Sequence, residues 1–171
     1  MRYGFKRGFS AESEKNYAKS NEEVRIRGAK SLPKKLKAAI LNSVRDTAVY
    51  RQKLAQDFVD GVCEKIGIPS VRVYVYDKAR PHSTNGRGSL RSQTLGQYRF
   101  VSGTRTPVSI TIWNLTAVRK DRVSAKMFLG TLEHELIHHY DICKLKLSNS
   151  PHTSGFYKRI GILDSLFGMA A

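Results

Sequence analysis

Apolar side chains are sparse over residues 1–31 and basic ones frequent, so this stretch reads as a basic N-terminal arm, partly helical. Ser10 is placed to cap a helix that stops at Gly28. From Leu32 the pattern changes. Leu36, Ala39, Ile40, Val44, Ala48, Leu54, Phe58, Val62 and Ile66 recur mostly three or four residues apart, which predicts a long amphipathic helical segment ending at Gly67. VRVYVY, 71–76, alternates and is β-branched, the signature of a strand. Residues 77–96 are rich in Gly, Pro, Ser and Asn and carry Arg80, Arg87 and Arg91; they read as a basic loop ending in a short strand at 97–101. PVSITIWN, 107–114, is the best strand in the chain, with Val108, Ile110 and Ile112 on one face and Ser109, Thr111 and Trp113 on the other. Asp121 or Ser124 can cap the helix that follows, which runs to about Leu147. SNSP then breaks it, and 152–167 forms a last helix with Phe156, Ile160 and Leu163 turned inward. The expected fold class is α+β, a small mixed or antiparallel sheet packed against a long helix and flanking helices, with residues 32–171 as the domain.

With 171 residues, 40% of them hydrophobic, the chain can bury one real core but not two. Cys63 and Cys143 lie far apart and neither belongs to a C-x-x-C pair, which excludes a disulfide framework and a zinc ribbon; both suit burial in a reducing compartment. No apolar run approaches the roughly 20 residues of a membrane span and no signal-peptide h-region is present, so a cytoplasmic location is expected. Lys and Arg number 30 against 14 Asp and Glu, a formal net charge of +16. That excess, spread through the chain, points to a polyanionic partner, most often nucleic acid.

The chemistry concentrates in TLEHELIHHYDI, 131–142. His134, Glu135 and His138 form H-E-x-x-H, and residues four apart on a helix share a face, so two imidazoles can converge on one ion at about 2.0–2.1 Å each. Glu135 then projects where a carboxylate can take a proton from an activated water. The far side of the same helix carries Leu129, Leu132, Leu136, Tyr140, Cys143 and Leu147 as a core stripe. No glutamate follows Glu135, and position 144 is Lys, which removes two familiar third-ligand schemes. Asp141, Cys143, His152 and Asp164 remain. Cys143 is on the core face and Asp141 sits about a turn beyond His138; His152 follows a helix break where the chain can turn back, so it is the preferred third ligand, with Asp141 next. Asp141 is also a candidate to orient a ligand imidazole, and Tyr157 a candidate to reach a substrate oxyanion. His139 is assigned to packing or solvent, and His82 to no role at the metal.

TLGQYRF, PVSITIWN, FLGTLEHELIHHYD and SPHTSGFYKRI together resemble the SprT-like zinc metallopeptidases over roughly residues 66–162. The resemblance implies a zincin-like fold, a Zn2+ ion held by His134, His138 and His152, Glu135 as general base, and protein substrates, including proteins crosslinked to DNA. The chain departs from the family in the position of the glycine after His152, Gly155, and in lacking cysteines for the C-terminal zinc ribbon that some members carry. A weaker likeness, in YGFKRGFSAESEKNYAKSNEEVRIRG and LPKKLKAA, is to ImmA/IrrE-type zinc peptidases, which cleave repressors.

The expectation is therefore a zinc-dependent endopeptidase whose substrate pairs as an extended strand with the edge of PVSITIWN. The rival is a basic DNA-binding protein with a structural or degenerate metal site, in which Arg87, Arg91, Arg99, Arg105, Lys120, Arg122 and Lys126 line a groove for the phosphate backbone. No RNA-recognition aromatic pair, zinc finger or helix-turn-helix stands out in the sequence, so such binding would be mainly electrostatic.

Overall fold

The two alternating stretches become neighbouring strands. In the computed structural model, which describes residues 10–28, 30–43 and 45–167, β1 (Val73–Ala79) runs parallel to β5 (Thr106–Leu115), and β4 (Gly96–Val101) runs antiparallel on its other side. The sheet is thus mixed, in the order β1-β5-β4. Residues 1–9 of the arm and Val44 of the helical stripe lie outside the described residues. The remaining elements are α1 (Ala11–Glu22), α2 (Lys34–Leu41), α3 (Ala48–Ile66), β2 (His82–Thr84), β3 (Leu90–Gln93), α4 (Ala125–Cys143) and α5 (Ser154–Leu166).

Alternation decides what the sheet buries. Val73, Val75, Ile110 and Ile112 face the helices and are buried with Phe58 and Val62 of α3 and Leu132 and Leu136 of α4. Each such side chain removed from water contributes roughly 1.5–3 kcal/mol before chain entropy is set against it. Val108, expected on the same face, is exposed, because β5 outruns the helices at its start.

Three sequence expectations change. The segment 32–66 is two helices, not one: α2 stops at Leu41 and α3 starts at Ala48. Asn42, Ser43, Asp46 and Thr47 offer the backbone alternatives to helical bonding. Ser43 Oγ exchanges hydrogen bonds with the Arg45 backbone, and Asp77 of β1 accepts from the Ala48 N–H at 3.3 Å, the work of a cap done from another element. The basic loop holds an antiparallel hairpin, β2 with β3, closed by Asn85, whose Oδ1 accepts from the Arg87 and Ser89 N–H groups. PVSITIWN has no free edge, since β5 is the central strand.

Of the two edge strands, β1 is covered. Gln56 and Gln52 of α3 accept from the Val73 and Val75 N–H groups at 2.8 and 3.0 Å, which removes the template that an open strand offers. The open edge of β4 faces α4.

The segment read as an arm contributes a helix that packs on the last one. Ser10 caps α1 by accepting from the Ser13 N–H, and the helix ends at Glu22, short of Gly28. α1 reaches α5 at Gly155, where a Cβ would stand 2.3 Å from the Ser20 carbonyl oxygen and 2.5 Å from that of Asn21. Rigid main chain on both sides makes that contact specific to glycine. Gly155→Ala is expected to push α1 off α5 and lower stability by about 1–3 kcal/mol, as overpacking does; urea unfolding of the two proteins measures it.

Candidate metal centre

α4 begins cleanly, with Ser124 Oγ accepting from the Met127 N–H, and its two-faced pattern then determines the rest. Leu129, Leu132, Leu136 and Tyr140 lock one side into the core, which turns His134 and His138 toward a cleft of about 640 Å³ between α4 and β4. After Cys143 the chain turns back through 144–153, and this return delivers His152 to the same point. The Nε2 atoms of His134 and His138 are 3.2 Å apart, and that of His152 is 3.0 Å from each. Among the described residues this is the group of His, Cys, Asp or Glu side chains placed to share a metal ion.

The spacing fits a cation. Nitrogens on one tetrahedral zinc lie about 3.3 Å apart. His138 donates from Nδ1 to Ser150 Oγ (2.8 Å), because Ser150 gives its own proton to Asp141 Oδ2 at 2.7 Å. The His138 Nε2 lone pair therefore points at the other two rings, the orientation in which it can accept a proton from a neighbouring imidazole or share a cation with the other two. Phe156, fully buried, lies beneath all three imidazoles with centroids 4.6–5.0 Å away. Burial, and then the neighbouring His152, hold His134 down to about 4; burial, then His134 and His152, hold His138 down to about 3. Both are neutral at pH 7, the form that binds metal.

Glu135 is buried on the β4 side. Burial pushes its carboxyl up to about 7, against the pull of the Tyr98 N–H. Gly96 makes this placement possible, because a Cβ there would lie 2.8 Å from Glu135 Cγ and Oε1 and from Thr131 Cγ2. β4 is held over the site by Tyr98, whose hydroxyl lies 3.1 Å from His139 Nδ1, while His139 Nε2 donates to the Pro69 carbonyl at 2.7 Å. His139 thus does a packing job.

Asp141 does not join the three histidines. It reaches His138 only through Ser150, and it is paired at 2.8 Å with Arg159, both side chains fully buried. Tyr157 is half-exposed beside His152, ring centroids 6.1 Å apart, with no hydrogen-bond partner for its hydroxyl among the described residues. The basic candidates are distributed over several elements. Arg87 and Arg91 stand on the β2–β3 hairpin, Arg99 on the outward face of β4, and Arg105 in the turn at the opposite end of the sheet, where its Nε donates to the Leu147 carbonyl. Arg122 is engaged with Asp46 and Asp77, and Lys120 and Lys126 are exposed just before and at the start of α4. His82 is remote, its Nδ1 on the Arg80 carbonyl.

Ser150, Arg159 and Gly96 carry site geometry that the sequence reading did not assign. Arg159 stands three residues after Phe156 and four before Leu163, so helical spacing alone would have turned it inward; Ser150 sits in the SNSP break and has no comparable signal. No family model, curated protein or solved structure matches this chain.

Ser150→Ala should weaken metal uptake by the three histidines about 10–100-fold, the usual effect of losing a partner that orients a ligand imidazole, measured by zinc titration in competition with a chromogenic chelator. For the metal-free chain, a carboxyl raised from 4.5 to about 7 is a penalty on the folded state above pH 7, relieved as the pH falls and the folded form takes up the proton. Glu135→Gln should therefore be more stable than the parent at pH 8, by up to about 3 kcal/mol, with the gap closing as the pH drops toward 4.5. Urea unfolding in chelator across that range checks the sign.

Proposed function

We propose that the chain is a zinc-dependent endopeptidase of SprT-like, zincin type. One observation carries the reading: three histidine nitrogens within 3.0–3.2 Å of one another beside a buried glutamate, at the floor of an open cleft. His134, His138 and His152 would hold the ion. A zinc ion bound there would polarise a peptide carbonyl and activate a water, with a position left open by three protein ligands.

Glu135 supplies the base. Poised near neutrality and walled off by Gly96, it takes the proton of the attacking water and passes it to the leaving amine. β4 supplies the template. Its open edge lines the cleft beside Glu135, so an extended substrate pairs main chain to main chain with β4, replacing the edge of β5 expected from sequence. Met127 and Phe100 add apolar wall for a substrate side chain, and Tyr157 is the candidate donor to the developing oxyanion. The substrate class is protein in extended or loosely folded form; the net charge of +16 supports nucleic-acid-associated proteins as substrates.

The test uses zinc-loaded protein and a loosely folded DNA-binding substrate, with and without single-stranded DNA, followed on a gel. The expected outcome is one zinc per chain, cleavage by the parent, and loss of about 10²–10⁴-fold in rate for Glu135→Gln with zinc retained. His152→Ala should lose zinc. Unchanged turnover in Glu135→Gln would remove the glutamate from its role, and unchanged zinc affinity in His152→Ala would remove the third ligand.

A further inference from the structure

The sheet has a second face that the cleft does not use. Because Val73, Val75, Ile110 and Ile112 point into the core, the alternate positions lie on the other face: Arg72, Tyr74, Tyr76 and Lys78 on and just before β1 and Arg99 on β4 are exposed, Trp113 on β5 is half-buried, and Ser109 and Thr111 of that central strand are buried. The helices that pack on the sheet, α3 and α4, lie on the inward side. The register aligns Tyr76 with Trp113 and places Arg99 beside Ser109 across the other ladder. Tyr74 and Tyr76 are 41% and 43% exposed, with rings parallel to within 3° and centroids 6.4 Å apart. Lys78 Nζ lies 6.0 Å from the Tyr76 ring. Among the described residues Arg72, Lys78 and Arg99 form no salt bridge, and none of these outward positions is acidic.

We infer that this face binds single-stranded nucleic acid, the bases stacking on Tyr74, Tyr76 and Trp113 and the phosphates drawn to Arg72, Lys78 and Arg99. Aromatic rings on an open sheet offer every base a π-face, whereas a duplex keeps its bases stacked inside; the surrounding cations match the charge of a backbone. Topology extends the track. The β2–β3 hairpin leaves the sheet at the end where Tyr76 and Trp113 stand and carries Arg87 and Arg91. β4 separates this face from the cleft, so a protein carried on the bound strand would lie beside the open β4 edge. The inference does not depend on the peptidase reading, because it concerns binding alone.

The chain has a single tryptophan, Trp113, on the face itself. Full-length protein is titrated with oligothymidylate, oligouridylate and a duplex, each of about a dozen nucleotides, following Trp113 fluorescence and the anisotropy of a labelled strand. Single strands are expected to quench Trp113 in step with binding and the duplex to bind more weakly; the tighter of the two single strands identifies DNA or RNA as the ligand. Tyr74→Ala with Tyr76→Ala should weaken single-strand binding about tenfold or more, while the corresponding Phe pair keeps wild-type affinity and both keep wild-type zinc content. Arg72→Ala with Arg99→Ala should reduce the log–log salt slope by about 1.4, two phosphate contacts. Wild-type affinity in the Ala pair, an unquenched Trp113 at saturation, or equal affinity for duplex and single strand would overturn the assignment. Failure of proteolysis leaves these readouts untouched.

Discussion

The fully buried pair of Arg159 and Asp141 is the contact on which the candidate site depends. A guanidinium removed from water is costly unless its donors are used, and here they reach two other helices. Arg159 bonds Asp141 of α4 at 2.8 Å, the Ser20 carbonyl of α1 at 2.7 Å, the Ser20 hydroxyl and the Glu23 carbonyl. Asp141 in turn accepts from Ser150, which holds His138. One cation on α5 thus joins α1, α4 and the loop that presents His152. Among the described residues Nε of Arg159 and Oδ1 of Asp141 have no partner, so the pair is better understood as setting geometry than as adding stability.

α1 completes the same design from outside. Asn16 bonds Asn149 through Nδ2 and accepts from the Ser148 N–H, and Ser20 Oγ lies 3.1 Å from Thr153 Oγ1. The loop that returns His152 to the histidine pair is therefore held at both ends by one helix. A loop free to move would deliver the imidazole only part of the time; clamped, it holds His152 at the pair, with the three nitrogens 3.0–3.2 Å apart. The site stores unfavourable terms, a buried carboxyl and desolvated imidazoles, which the surrounding core offsets.

The sheet serves two surfaces through one strand. Inward, β4 brings Gly96 and Tyr98 against α4 and leaves its edge open in the cleft; outward, it adds Arg99 to an aromatic and basic face. The covering of β1 by Gln52 and Gln56 matters to both, since it directs strand pairing to the one edge beside Glu135.

Local chemistry was legible in the sequence wherever a short-range period decides it. The four-residue spacing of His134 and His138, the core stripe opposite them, the alternation at Val73 and Val75 and the caps at Ser10 and Ser124 depend only on helix and strand geometry, and each is present in the fold; in β5 Ile110 and Ile112 are buried as expected, while Val108 is exposed and Ser109 and Thr111 are buried as well. His152 follows a break in the helical pattern, and the chain does return it to the pair. Sequence alone could not reveal which strand is central, since strand order follows from long-range packing, and so the open edge was placed on β5 instead of β4. Nor could it show that 42–47 breaks a periodic helix, where the deciding partner, Asp77, comes from another element. The buried Arg159, the relay through Ser150 and the aromatic face of Tyr74, Tyr76 and Trp113 join residues far apart in the chain. Composition and period specify which side chains turn inward; only the tertiary structure decides which of them meet, because those contacts are selected by the packing of whole elements.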